Sequence, residues 1–94
     1  MKYWVYIIYS HSTDKRYIGQ TADLTERIRK HNSGKNQSTK TAVPWVLFAS
    51  LAVQSRTEAL SMERKLKNLK SRARQNDFCL KNGFKFHEVI GPEK

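Results

Sequence analysis

The segment between residues 15 and 31, in which a short strand is followed almost at once by a helix, constrains the fold more than any other part of the sequence. Tyr17 and Ile18 favour an extended chain, because aromatic and β-branched side chains fit a pleated, half-buried surface. Gly19 follows them and allows a backbone turn that other residues resist, so we expect the strand to end there.

A helix signal begins four residues later. Asp23 lies three residues before Glu26, a spacing that satisfies free backbone N–H groups at a helix start. Gly34 is a suitable terminator, because glycine readily adopts the left-handed conformation that ends many helices. The predicted helix therefore covers about residues 24–33.

One side of this helix combines apolar and polar side chains. Leu24 and Ile28 form its apolar row, while Arg27 and His31 lie one turn apart beside that row. Arg27 and His31 can therefore point toward one phosphate-sized target on the sheet side of the helix.

Two further segments have strand character. Residues 3–9 are aromatic and β-branched throughout, and the short polar segment 10–15 predicts an antiparallel hairpin with the next strand. Residues 35–41 are hydrophilic and without a period, which predicts an exposed loop. A third strand is predicted from about residue 45 to residue 51.

Two more helices are expected after the third strand. Ser55 and Glu58 form a capping box, and apolar residues follow at helical spacing, which predicts a helix over about residues 56–69. Ser71 can begin a shorter helix that ends before Gly83.

These elements predict one α+β domain with the order ββαβαα, in which a small three-stranded antiparallel sheet is flanked by helices. A chain of 94 residues suffices for one domain with a modest core. We expect this domain to cover residues 1–83 and residues 84–94 to be a C-terminal extension or tail. Within that extension, residues 84–86 are expected to add a short extended piece over the core.

The charge balance is strongly basic. Lysine and arginine number 18 against 8 aspartate and glutamate residues, a formal net charge of +10. Such a charge is typical of polyanion-binding proteins, and nucleic acid is the leading candidate partner; a solubilising surface charge is the alternative. The side chains expected to contact phosphates are Lys35, Lys40, Arg64, Lys67, Lys70, Arg72 and Arg74.

Cysteine content and hydropathy bear on the compartment. The single cysteine, Cys79, cannot form an internal disulfide or a thiolate metal cluster, which suits a reducing compartment. The sequence has no basic-then-apolar leader and no apolar run that approaches a membrane span, so we expect a cytoplasmic protein.

Glu63 is the most informative acidic residue. It lies four residues after Ala59 and three before Leu66, at the edge of the apolar stripe and turned toward the sheet. A lone inward carboxylate in a basic segment suits a hard divalent cation, since Mg²⁺ often takes one or two protein carboxylates and completes its shell with water and phosphate oxygens. A salt bridge to Lys67 is the alternative interpretation.

Four other side chains suit phosphate chemistry. Arg27 offers a planar, permanently charged guanidinium to phosphate oxygens, although a surface arginine on a basic helix is the alternative. His31 can orient water or protonate a leaving oxygen, or it can interact with the last carbonyls of its helix. Tyr6 and Tyr17 become near neighbours in the predicted hairpin, but a tyrosine in a strand usually packs in the core with its hydroxyl paired.

Taken together, these residues resemble a known nuclease domain over about residues 3–69. The pattern is Tyr17-Ile18-Gly19, an arginine eight residues after the glycine, a histidine four residues later and a glutamate on the helix after the third strand. It resembles the GIY-YIG nuclease domain, with Val5-Tyr6-Ile7 in place of the first motif. The small size and basic ends are similar to the stand-alone bacterial group called UPF0213 or YhbQ-like, described as predicted endonucleases.

The resemblance implies a GIY-YIG endonuclease-like fold and hydrolysis of a phosphodiester bond. It implies that Tyr6 or Tyr17 takes a proton from the attacking water, that Arg27 holds the scissile phosphate and that His31 helps to position groups. It also implies that Glu63 binds one Mg²⁺ or Mn²⁺ ion.

The resemblance leaves the substrate open, because family nucleases generally gain their target from an attached recognition domain. A further family asparagine after the metal-binding helix matches Asn76 better than Asn68. We expect a divalent-metal-dependent endonuclease that acts on DNA, in a branched or single-stranded form, or on RNA. The alternatives are a non-catalytic basic nucleic-acid-binding module with the same fold, and an adaptor for an acidic protein.

Overall fold

The computed structural model describes residues 2–35 and 39–87, which form an antiparallel sheet with helices on both faces. In chain order the elements are β1 (Tyr3–Ser10), β2 (Lys15–Thr21), α1 (Leu24–Asn32), one turn of 3₁₀ helix (Lys40–Ala42), β3 (Trp45–Val53), α2 (Arg56–Asn68), α3 (Arg72–Lys81) and β4 (Lys85–Phe86). The strands are ordered β2-β1-β3-β4, and every neighbouring pair is antiparallel. The predicted α+β class is confirmed, and β4 makes the sheet four-stranded rather than three-stranded.

Side-chain caps begin the helices at the predicted places. Asp23, Ser55 and Ser71 each accept a hydrogen bond from the backbone N–H three residues later, at 3.1, 3.1 and 3.3 Å. Each cap satisfies one of the N–H groups that the first helical turn leaves unpaired. Gly34 follows α1 with a φ of +78°, the left-handed conformation expected of a helix terminator.

Gly19 does not end its strand, contrary to the prediction, because β2 continues to Thr21. The residue lies directly opposite Tyr6 in the β1–β2 ladder. A Cβ atom at position 19 would lie 2.6 Å from the Tyr6 hydroxyl oxygen and 2.8 Å from Tyr6 Cζ. The glycine is therefore required for the close approach of the Tyr6 ring to β2 and not for a turn.

Strand β1 separates two hydrophobic clusters. Val5 and Ile7 belong to the cluster that packs against α2 and α3, whereas Tyr6 and Ile8 belong to the cluster that packs against α1. Successive side chains of a strand point to opposite faces of the sheet, so α1 lies on one face and α2 and α3 lie on the other.

A β-bulge in β3 changes which residues face α1. Ile7 pairs with Ala49 and Ile8 pairs with Leu47, which leaves Phe48 without a partner on β1. The first part of β3 therefore packs in the cluster beneath α1, and the part after the bulge packs in the cluster beneath α2 and α3.

The chain continues into the sheet after α3. Phe84 is buried in the cluster beneath α2 and α3, and Lys85–Phe86 pairs with β3, which matches the extended piece expected there. Of the predicted tail, residues 88–94 lie outside the described part of the chain. The domain boundary at residue 83 stays a prediction.

We predict that Gly19→Ala destabilises the fold, because the added methyl group would force the enclosed Tyr6 ring to move. The free energy of unfolding should fall by about 1–3 kcal/mol, measured by denaturant titration with circular dichroism. In a Tyr6→Phe background the contact with the hydroxyl oxygen is absent, so the same substitution should cost less. An equal cost in both backgrounds would contradict this account.

Candidate active site

Tyr6 on β1 and His31 on α1 form a buried polar pair. The Tyr6 hydroxyl oxygen and His31 Nε2 are 3.0 Å apart, a hydrogen bond between residues 25 apart in the sequence. Tyr6 is 1% exposed and His31 is 0% exposed. Two residues that the sequence analysis selected separately are thus in direct contact.

Tyr17 completes an aromatic cluster with this pair. It lies opposite Ile8 in the ladder, so its side chain is on the same face of the sheet as that of Tyr6. The centroid of its ring is 6.5 Å from that of Tyr6 and 4.7 Å from that of His31. Tyr17 is only partly buried, so it has more contact with solvent than Tyr6 has.

The other ring nitrogen of His31 contacts Thr39. His31 Nδ1 and Thr39 Oγ1 are 3.1 Å apart, and Thr39 is 0% exposed. The predicted exposed loop over residues 35–41 is therefore wrong at Thr39, which turns into the cluster beneath α1. No periodicity or motif in the sequence identifies this residue as part of the site.

Burial and neighbouring charges shift the titration of the pair. Burial raises the pKa of Tyr6 well above its ordinary value and Tyr17 adds to the rise, while Arg27 lowers it and Glu63 raises it. Burial also lowers the pKa of His31, and the positive charge of Arg27 contributes to that lowering. Arg27 and Glu63 therefore both lie near enough to Tyr6 to act on it electrostatically, although their helices are on opposite faces of the sheet.

Arg27 lies at the junction of two surface depressions. One, of about 240 Å³, is bounded by the start of α1, by Thr21 at the end of β2 and by Arg56 at the start of α2. The other, of about 360 Å³, is lined by Arg27, Arg29, Lys30, Ser33 and Lys35. Cationic side chains therefore outnumber acidic ones around Arg27, although Asp23 and Glu26 also line the smaller depression.

Sequence patterns did not identify three cations of this surface, which are Arg29, Lys30 and Arg56. Arg56 Nη1 donates a hydrogen bond of 3.0 Å to Gln20 Oε1, and its guanidinium lies 4.7 Å from the centroid of the Tyr3 ring. These contacts fix the first residue of α2 against the sheet. The place of Arg56 directly after the helix cap Ser55 does not indicate from sequence that it contacts the sheet.

Glu63 combines the low exposure expected of an inward carboxylate with the Lys67 salt bridge that is the alternative interpretation. Its side chain is only 16% exposed, and its Oε2 forms a salt bridge of 2.8 Å with Nζ of Lys67. The Lys67 side chain is 52% exposed, so this pair is a surface interaction of small net energy. Both residues line a depression of about 310 Å³ on α2, together with Leu60, Arg64 and Asn68.

The donors near Glu63 fit a cation that takes most of its ligands from water or phosphate. Among residues 2–35 and 39–87, no group of three or more His, Cys, Asp or Glu side chains could hold a metal ion. Mg²⁺ does not need such a group, because it usually keeps several waters and is held by one or two carboxylates with substrate phosphates. Asn68, in the same depression, offers an amide oxygen.

Asn76, the better match to the further family asparagine, contacts Arg16 on β2. Its Oδ1 accepts a hydrogen bond of 2.9 Å from Arg16 Nη2, and Gln75 Oε1 accepts one of 3.0 Å from Arg16 Nη1. The Arg16 guanidinium also lies 4.4 Å from the centroid of the Phe48 ring. These contacts join α3 to the sheet, so Asn76 serves to position α3.

The predicted phosphate-contacting cations fall into different surroundings. Lys35 lines the larger depression beside α1, and Arg64 and Lys67 line the depression on α2. Lys40 and Lys70 are exposed and line neither of these depressions.

Arg72 and Arg74 lie away from these depressions. Arg72 Nη1 forms a salt bridge of 3.0 Å with Asp14 Oδ1, and its Nη2 bonds to the backbone oxygen of Asp14. Arg74 lines a mainly apolar depression of about 410 Å³ on α3. Arg72 thus joins α3 to the β1–β2 turn.

Comparison with known proteins places the chain in a family. The GIY-YIG catalytic domain family matches residues 2–76. The UPF0213 protein BH0048 of Halalkalibacterium halodurans is 36% identical over 84 residues, which cover 88% of this chain and 88% of that protein. The UPF0213 protein YsiG of Lactococcus lactis is 41% identical over 64 residues, which cover 66% of this chain and 60% of that protein.

The fold is also similar to a solved structure. The solution NMR structure of the UPF0213 protein BH0048 from Bacillus halodurans matches with a TM-score of 0.53 and 34% identity, and the match covers 88% of each chain.

GIY-YIG membership implies nuclease activity on nucleic acid in general, and GIY-YIG nucleases generally use divalent metal ions. Within the described residues, none of the helices is long and apolar enough to span a bilayer. The cluster of Tyr6, Tyr17 and His31, the family match over most of the sequence and the shared fold together show that this chain belongs to the UPF0213 group of the GIY-YIG catalytic domain family.

Proposed function

We propose that this protein is a divalent-metal-dependent endonuclease that hydrolyses phosphodiester bonds of DNA. The observation that carries the proposal is the buried 3.0 Å contact between Tyr6 and His31, with Arg27 one turn before His31 on α1. A module that only binds nucleic acid needs surface cations, but it has no need of a buried phenol and imidazole in contact.

The Tyr6 and His31 pair is suited to accept the proton of the attacking water. A phenol with a raised pKa is a poor base near neutral pH, because its ionised form is scarce. Tyr6 need not be ionised if its oxygen accepts the proton of the water while its own proton passes to Nε2 of neutral His31. Tyr17, which is more exposed and has its ring 4.7 Å from that of His31, would contact the water or the phosphate beside the pair.

Arg27 is the candidate to hold the scissile phosphate. A guanidinium presents paired N–H donors that match phosphate oxygens, and it stabilises the negative charge that develops during phosphoryl transfer. Lys30 and Arg56, which share its smaller depression, are placed to contact neighbouring phosphates of the same strand. Phosphate contacts of this kind do not depend on the base sequence, which suits a nuclease that recognises the DNA backbone.

Glu63 would hold one Mg²⁺ or Mn²⁺ ion, with Asn68 as a neighbouring oxygen donor. The bound cation would offset negative charge on phosphate oxygens. Displacing Lys67 from Glu63 should cost little, because the lysine side chain is half exposed.

The proposed setting is the cytoplasm, with branched or single-stranded DNA as the substrate and RNA as an alternative. Cys79 is buried and free, and burial raises the pKa of its thiol to about 11, so it is expected to stay an unreactive core residue.

We predict that Glu63→Gln abolishes cleavage while affinity for DNA stays the same or rises. The substitution keeps the shape of the side chain but removes the charge that the cation needs. The measurements are nicking of plasmid and of branched or flapped DNA with Mg²⁺ or Mn²⁺, and DNA binding in the same buffers. Asp77→Asn is the matched control, because Asp77 also forms an i, i+4 salt bridge with a lysine but lies on α3.

Two outcomes would contradict the metal role. Cleavage by the Glu63→Gln protein at the rate of the wild type would remove Glu63 from the mechanism. If the wild type binds these substrates but never cuts them, the non-catalytic binding module becomes the better description.

We predict that Arg27→Ala slows cleavage by about 100- to 1000-fold, because it removes a group that stabilises charge in the transition state. Binding of DNA should weaken at the same time. Arg29→Ala is the control on the same helix, since Arg29 is exposed and forms a salt bridge of 2.6 Å with Glu26. Equal losses in the two variants would indicate that Arg27 contributes only general surface charge.

We predict that cleavage persists below pH 6.5, the ordinary pKa of histidine, and falls only on further acidification. His31 must be neutral to accept a proton, and its lowered pKa keeps it neutral in this range. The measurement is kcat/KM for DNA nicking from about pH 5 to about pH 8. His87→Gln should keep the same profile, because His87 also has a lowered pKa but bonds to Ser50 instead. An acid limb above pH 6.5 would exclude His31 as the acceptor.

A further inference from the structure

We propose that Thr39 is a positioning residue of this site. Its hydroxyl accepts a hydrogen bond from Nδ1–H of His31 and thereby leaves the lone pair of Nε2 facing the Tyr6 hydroxyl. The catalytic consequence rests on the proposed nuclease function, whereas the position of the proton on His31 does not.

The surroundings of Thr39 hold its hydroxyl in place. The residue is fully buried, and its Oγ1 is 3.1 Å from His31 Nδ1. Its backbone oxygen accepts a hydrogen bond of 3.0 Å from Nε1 of Trp45, which is itself buried. Asn32 at the end of α1 bonds to both backbone groups of Trp45, with N···Oδ1 at 2.5 Å and Nδ2···O at 3.0 Å. These hydrogen bonds link Thr39 through Trp45 to the end of α1 and hold it beside His31.

The two hydrogen bonds of His31 determine where its proton lies. A neutral imidazole carries one N–H, so one ring nitrogen must donate and the other must accept. A phenol is a stronger donor and a weaker acceptor than an aliphatic hydroxyl, which favours donation from Tyr6 to Nε2. The N–H then lies on Nδ1 and donates to Thr39.

Each arrangement leaves one hydroxyl proton without an acceptor within residues 2–35 and 39–87: that of Thr39 here, and that of Tyr6 in the opposite arrangement. The phenol proton is the more acidic of the two, so leaving it unpaired costs more. Within residues 2–35 and 39–87, the structure gives the Tyr6 hydroxyl no hydrogen-bond partner other than His31. The Thr39 hydroxyl can accept from Nδ1–H, and this arrangement satisfies both nitrogens of His31.

This tautomer allows the proton transfer that the proposed function requires. As the oxygen of water bonds to phosphorus, the proton of the water passes to the Tyr6 oxygen. The leaving oxygen departs with the electron pair of its bond to phosphorus and takes a proton from solvent water. The proton that Tyr6 held passes to Nε2 of His31. The resulting imidazolium has both N–H groups paired, one with Thr39 and one with Tyr6, so the positive charge forms without a buried unpaired donor.

Long-range ¹H–¹⁵N NMR of the full chain, recorded without nucleic acid, tests the tautomer. We expect the wild type and Thr39→Ser to carry the proton of His31 on Nδ1. Thr39→Val should shift it toward Nε2, because a buried N–H without an acceptor costs more than an unpaired lone pair. Thr41→Val, an exposed threonine two residues away, is the control and should match the wild type.

Either of two NMR results would overturn the inference. One is a wild-type His31 with its proton on Nε2, a measurement that holds whether or not the valine variant folds. The other is a folded Thr39→Val protein that keeps the wild-type tautomer.

DNA nicking kinetics test the consequence for the reaction. Thr39→Val should lower kcat by about 10- to 100-fold with little change in KM, and Thr39→Ser should restore most of the rate. A wild type that cleaves no faster than Thr39→Val would overturn the positioning role. If the wild type does not cleave at all, the proposed function fails and the NMR measurement alone decides the role of Thr39.

Discussion

The hydrogen bond between Tyr6 and His31 is the constraint on which the rest of the candidate site depends. It joins β1 to α1 across the core, where an unpaired hydroxyl or ring nitrogen would be costly. Gly19 allows the Tyr6 ring to lie close to β2, and Thr39 occupies the remaining nitrogen of His31. The position of α1, and of Arg27 on it, therefore follows from a fully paired buried cluster.

The candidate site draws on residues from both helical layers. Arg27 lies on α1 at one face and lowers the pKa of Tyr6, whereas Glu63 lies on α2 at the other face and raises it. Strand β2 is an edge strand, and the starts of α1 and α2 border one depression at its end. Such an arrangement leaves Arg27 and Arg56 accessible to a long polyanion.

The basic side chains that give the net charge of +10 have several roles in this structure. Arg16 and Arg72 join α3 to the sheet and to the β1–β2 turn, and Arg29 pairs with Glu26 on α1. Composition indicates a polyanion partner, but it does not distinguish these structural arginines from those around the depressions. That distinction depends on which carboxylates, amides and rings the fold brings within reach of each guanidinium.

The local features of this protein follow from the sequence alone. Helix caps at Asp23, Ser55 and Ser71, the strand segments and the spacing of the motif residues depend on neighbours within a few positions. Long-range packing sets the close approach over Gly19, the addition of β4 to the sheet and the burial of Thr39. These features arise from contacts between distant parts of the chain, and their energies depend on which surfaces meet after folding, which no local pattern encodes.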